Sequence, residues 1–191
     1  TRGAGSQLLV NTSGAAAFSG EMLARFPLVQ PDWYIDADGK LQEWVATVTA
    51  EGETAGYASL DSAMAAACGV DTATVTLYQD AALSATAAIP AGCDITLCAA
   101  QAATVTAGVR MFNVSGKLTL ASSAAPLTLK ETGTQLIAMV LVDAELTLKD
   151  GVTLTGAKAG AVYNTGTFLM TGGLISDCNG SAGTGGGVTN S

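Results

Sequence analysis

The sequence contains no histidine, and only eight of its 191 residues are basic. Without an imidazole, Ser-His and Cys-His catalysis within the chain are excluded, and the commonest zinc ligand is missing. The four cysteines, Cys68, Cys93, Cys98 and Cys178, form no CxxC pair, so neither a metal site nor any cofactor is expected. Buried free thiols are the expected state; a disulfide from Cys68 to Cys93 or to Cys98 is the alternative. Sixteen carboxylates leave a net charge of −8. Phosphate neutralisation needs clustered Lys and Arg, so no nucleic-acid partner is expected. No apolar run approaches the ~18–20 residues of a membrane-spanning helix, so no membrane insertion is expected. Intrinsic disorder is excluded as well, because 49% of residues are hydrophobic and only 13% charged.

Composition divides the chain. Residues 1–80 hold ten of the sixteen carboxylates, three of the eight basic groups, both tryptophans and seven of the ten aromatics. Residues 81–191 are nearly neutral and rich in Ala, Gly, Thr, Leu and Val. The chain starts at Thr1 without an initiating methionine, so an excised fragment or a processed chain of a larger protein is expected.

Periodicity lies beneath the small-residue composition. "NVSGKLTL" at 113–120, "LVDAELTL" at 141–148 and "YNTGTFLM" at 163–170 each place a turn-like pair before an apolar-polar-apolar triplet. Leu118, Leu146 and Phe168 are equivalent, as are Leu120, Leu148 and Met170. A second triplet follows each time: "LTL" at 127–129, "VTL" at 152–154 and "LIS" at 174–176. Three residues cannot form an independent sheet. If each unit of about 21–28 residues makes one circuit, equivalent triplets stack at ~4.8 Å as parallel strands, leucine on leucine inside and threonine outside. Gly172-Gly173 and Gly185-Gly186-Gly187 are expected to turn corners. An antiparallel sandwich would need hairpin signals between strand pairs, and only Asp38-Gly39, Asp150-Gly151 and Asn179-Gly180 occur. The leucine-rich-repeat frame is missing. The expected fold is all-β, a right-handed parallel β-helix solenoid.

Three regions are expected: an N-terminal extension or remnant at 1–43, a capping strand and helix at 44–71, and β-helix coils at 72–191. "YASLDSAMAAACG" at 57–69 predicts the helix, with Ser59 as N-cap, Asp61 in the first turn, Gly69 as C′ residue, and Leu60, Met64, Ala67 and Cys68 on one face. Asp36-Ala37-Asp38-Gly39 reads as a β-turn, since its glycine stands too early for a calcium loop. Trp33 and Trp44, in an otherwise aromatic-poor chain, are the candidate contact surface.

The run "YASLDSAMAAA…ATVTLYQDAALSATAAIPAGCDITL", with "LTLKDGVTL" and "GTFLMTGGLISDCNGSAGTGGGVTN", resembles the right-handed parallel β-helix of pectin-lyase-like repeat proteins on the surface of Gram-positive gut bacteria. The resemblance covers residues 44–191. It implies an extracellular, non-catalytic, stalk or adhesin-like module presenting a surface to host glycans or proteins. A fragment of a polysaccharide-active enzyme, its active site in coils not present, is the alternative. Within the chain, Asp143 and Glu145 are the nearest approach to a paired-carboxylate site, and a solvated turn pair is the expected reading. Thr74, Thr76, Thr104, Thr106, Thr153 and Thr155 are placed on different strand types, so β-branched strand preference accounts for them without an ice-binding face.

"GGGVTNS" at 185–191 repeats "AGAVYNT" at 159–165. Asn164 and Asn190 are therefore expected to stack as an asparagine ladder. A further coil is expected to begin there, leaving the solenoid truncated and its C-terminal coil open to edge-to-edge self-association.

Overall fold

The structure, a computed structural model, describes residues 33–35, 41–180 and 185–191. Strands β1 (Trp33–Ile35) and β2 (Leu41–Glu43) pair antiparallel in a sheet of their own. Strands β3 (Ala46–Ala50) and β4 (Glu53–Tyr57) form a hairpin. Its two-residue turn, Glu51-Gly52, has positive φ at both positions (52° and 85°), the twist-matched geometry for a tight hairpin. Helix α1 (Leu60–Ala67) follows, its N-terminus capped by the Ser59 side chain, which accepts from the Ser62 N–H.

Five turns of a β-solenoid come next, three strands to a turn. The first turn has β5 (Thr72–Leu77), β6 (Ala81–Ala82) and β7 (Ala87–Ile89). The second has β8 (Asp94–Ala99), β9 (Ala103–Ala107) and β10 (Phe112–Val114), and the third β11 (Lys117–Leu120), β12 (Leu127–Glu131) and β13 (Ala138–Val140). The fourth has β14 (Glu145–Leu148), β15 (Val152–Thr155) and β16 (Val162–Asn164), and the fifth β17 (Thr167–Met170), β18 (Leu174–Ser176) and β19 (Val188–Asn190). Counted this way, Val188–Asn190 forms the third side of the fifth turn rather than opening a sixth. Equivalent strands pair in parallel and build three sheets.

Strand alternation sends one set of residues into the stack and the other out. Ile95, Leu118, Leu146 and Phe168 stand in one inner column, and Leu97, Leu120, Leu148 and Met170 in the next. Ile95, Leu97, Leu118, Leu120, Leu146 and Leu148 are at most 1% exposed, each burial contributing about 1.5–3 kcal/mol. Phe168 and Met170 keep the register, but Phe168 is half-buried and Met170 is 46% exposed. No described strand lies beyond β17 to cover them.

At the opposite end the core is closed twice. Strand β3 joins β5 antiparallel and ends the seven-stranded sheet with a hairpin. Helix α1 buries Leu60, Ala63, Met64 and Ala67 against the bottom of the stack. The predicted capping strand is thus a hairpin, and Ala63 takes the face place expected of Cys68, which is the C-cap. Gly69 does not adopt the left-handed C′ conformation. Its N–H bonds to Ala66 O instead, so the helix ends by tightening, as helix ends often do. Among the expected corner glycines, Gly173 has a positive φ of 80°. Gly186 is required by space, since a Cβ there would strike the Cys178 carbonyl oxygen.

Asp61 locks the cap to the first turn. Its carboxylate accepts from the Ser84 and Ala85 N–H groups and from the Ser84 hydroxyl. Asp61→Ala should lower stability by about 1.5–3 kcal/mol, read as a fall in melting temperature. Leu146→Asp puts an unpartnered carboxylate in a dry core and should cost more than about 4 kcal/mol. Thr147→Val loses only the hydrogen bond to Glu145 Oε1 and should cost about 1 kcal/mol or less. Equal melting temperatures for the two variants would contradict the in-out assignment.

Candidate functional site

Three features stand out from the regular stack: polar groups admitted to the core, the outer face at the capped end, and free thiols. Asn164 occupies the inner column that reads Ile89, Val114 and Val140 in the turns before it. Asn190 stands next in register, and Asn164 Nδ2 donates to Asn190 Oδ1 at 2.9 Å. The Asn164 amide also folds over the corner that follows: Oδ1 accepts from the Gly166 N–H and Nδ2 donates to Gly166 O. The asparagine therefore satisfies a tight corner and links to the next turn at once.

Glu131, at the inner end of β12, is a second polar intrusion that sequence reading missed. It is 1% exposed. Oε1 accepts from the Gly133 N–H at 2.8 Å, whereas Oε2 is buried without a partner among the described residues. The signal was there to read: "LTLKE" places glutamate on the alternation of Leu127 and Leu129.

The tryptophans mark the capped end. Of Trp33 only the backbone, in β1, is described. The Trp44 indole is half-buried and lies flat on Gly56, where no Cβ would fit. Gly56 faces outward beside Thr47, which is 2% exposed although it points away from the core. Beside Trp44, Glu43 accepts at its backbone oxygen from Gln79 and at its carboxylate from Gln101. The ring thus has a firm seat, with two amides and a carboxylate alongside.

Outward threonines are more ordered than the sequence reading allowed. Thr54, Thr49, Thr74, Thr96, Thr119 and Thr147 form one column across six strands of the seven-stranded sheet. Thr104 and Thr106 stack in register with Thr128 and Lys130, then with Thr153 and Thr155, on another sheet. The uneven loop lengths obscured this, because insertions leave at the corners while the strands stay aligned. Thr147 was expected on an open face but is 6% exposed, standing between Thr119 and Leu169.

Asp143 does not share a strand face with Glu145. It sits in the left-handed region (φ 64°) of the corner before β14. Among the described residues no cluster of three His, Cys, Asp or Glu forms a metal site, and no helix is long and apolar enough to cross a membrane. The Asp36–Gly39 turn lies outside the described residues. Compared with known protein families, curated proteins and solved structures, the chain matches none.

All four cysteines are free thiols. Cys93 Sγ lies 3.9 Å from Cys68 O. Burial lifts the Cys68 thiol above its ordinary pKa, and Cys93 adds to the effect. Burial also lifts Cys178; backbone N–H groups of Ala157 and Gly156 oppose this, and Asp177 reinforces it. A pKa raised by folding contributes stability that is present below the unfolded value and is lost as pH rises through the folded one. The melting temperature should therefore fall on titration above pH ~9, and less steeply in a Cys68→Ser/Cys178→Ser protein. Glu131→Gln removes a buried charge with an orphaned oxygen and should raise stability at neutral pH by about 1–3 kcal/mol. A lower melting temperature for that variant would mean that the carboxylate is satisfied.

Proposed function

We propose that this chain is a non-catalytic β-solenoid module of a bacterial cell-surface protein, right-handed and of the pectin-lyase-like kind. Its role is to hold a contact surface away from the cell and present it to host glycans or proteins. The observation that carries the reading is the Trp44 indole, seated on Gly56 on the outer face of a rigid stack beside Glu43, Gln79 and Gln101. Ring faces take up the apolar faces of sugars or protein side chains, and the flanking amides and carboxylate supply directional bonds. The stack supports a spacer role, because parallel turns continue one core along an axis and transmit load through a ladder of backbone hydrogen bonds.

The test is binding of the whole chain to immobilised mucin, measured by interferometry, with turnover of mucin glycans, pectin and alginate assayed in parallel. Trp44→Ala should weaken binding by ~30-fold, as expected when a central aromatic anchor worth about 2 kcal/mol is truncated. Absence of binding, or binding indifferent to Trp44, would overturn the contact reading; glycan turnover would overturn the non-catalytic one.

A further inference from the structure

We propose that the outer face of the sheet built from β7, β10, β13 and β16 binds an acidic sugar, whose carboxylate or sulfate group is held by Arg110. Arg110 is the sole arginine among the described residues and stands in the corner between β9 and β10. Its Nη1 donates to Asn113 Oδ1 at 2.7 Å and meets Met139 Sδ at 2.8 Å. These contacts hold the guanidinium over the sheet. No carboxylate pairs with it among the described residues. Nε is buried without a partner, and Nη2, also unpartnered among those residues, reaches solvent. A half-buried cation is costly to leave uncompensated, and this one stands in a chain of net charge −8.

Charge selects an anion. The strands of this sheet carry no charged side chain. The corners that lead into β10, β13 and β16 run through 108–111, 132–137 and 156–161, and they hold Arg110 and Lys158 but no carboxylate. Two turns separate these cations, about 10 Å along the stack at ~4.8 Å per turn. That is about one screening length in ~0.1 M salt, so their fields add over the face. Residues 41–80, by contrast, carry six carboxylates and no basic group. A guanidinium matches a carboxylate or sulfate in shape as well as charge, and the Nη2 edge is the part left to donate.

The neighbours of Arg110 select what carries the anion. Asn113, Met139 and Tyr163 stand in register on three consecutive turns, point outward and are half-buried. The Met139 thioether and the Tyr163 ring offer an apolar surface to the C–H face of a sugar ring. Asn113 Nδ2 and the Tyr163 hydroxyl have no partner among the described residues and can bond to its hydroxyls. The choice of a sugar rests on the host-glycan reading, but the site is separate from Trp44. Gly56, on which that indole lies, belongs to β4 of the seven-stranded sheet. An arginine that only braced Asn113 would make no use of Nη2 or Lys158, and this difference can be measured.

The experiment is amide NMR on the isotope-labelled full chain in ~0.1 M salt. The probes are the methyl α-glycoside of N-acetylneuraminic acid, N-acetylglucosamine 6-sulfate, neutral N-acetylglucosamine and inorganic sulfate. Saturable shifts confined to 110–113, 138–140 and 162–164 are expected with an acidic sugar; which of the two binds tells carboxylate from sulfate. Arg110→Gln should weaken binding by ~tenfold or more, and Arg110→Lys should restore only part of it. Lys158 is exposed, so Lys158→Gln should keep the melting temperature, weaken binding by about two- to threefold, and lose that effect in ~1 M salt. No saturable shift with either acidic sugar, equal binding of the neutral sugar or of inorganic sulfate, or indifference to Arg110→Gln would each overturn the inference. None of these outcomes touches the Trp44-dependent binding of mucin, so the two readings fail separately.

Discussion

Translation by one turn is the constraint on which the structure depends. Each parallel strand takes its hydrogen bonds from the equivalent strand of the turn before, so each side chain's nearest neighbour is its own counterpart. Leu118 meets Leu146 and then Phe168, and Thr119 meets Thr147. A residue suited to its column is thereby suited to the residues above and below. The segment between strands is not held to this rule. The corner from β11 to β12 runs through 121–126, and the equivalent corner from β17 to β18 takes only 171–173. The ladders remain aligned because extra length leaves the stack at the corners.

The same constraint makes the ends difficult. A stacked turn satisfies its neighbours but not itself, so an unmatched turn shows strand N–H and C=O groups together with core. At the N-terminal end two different devices divide the work. The β3–β4 hairpin takes up the hydrogen bonds of the sheet edge, and helix α1 covers the core. Asp61 ties the helix to the stack, spanning from the first turn of the helix to the Ser84 segment of the first coil. At the other end the fifth turn keeps the register of its predecessors while its inner side chains are partly uncovered.

Among the described residues, polar groups enter the core only where a corner uses them. Asn164 replaces the valine of its column and bonds both to the Gly166 turn and to Asn190. Its desolvation is offset on both sides. Glu131 also serves a corner, through the Gly133 N–H, but it leaves an oxygen buried and unpartnered. The difference is geometric. An amide carries a donor and an acceptor and can propagate along a parallel stack, whereas a carboxylate only accepts and has no counterpart in the next turn to donate to it.

The sequence by itself determined the solenoid, its inner columns, the helix with its Ser59 cap, and the pairing of Asn164 with Asn190. These are local or periodic properties: alternation sets the face, and repetition sets the neighbour. Only the tertiary structure decided the rest. The antiparallel closure by β3, the link from Asp61 to Ser84, and the indole of Trp44 on Gly56 join residues that no repeat relates. The loops between them vary in length, so their meeting depends on how the whole stack closes. Burial was decided there as well. Thr147 and Met170 obey the predicted alternation, yet the outward residue is covered and the inward one is exposed. Alternation fixes a side chain's direction, and only its neighbours in space fix how much water reaches it.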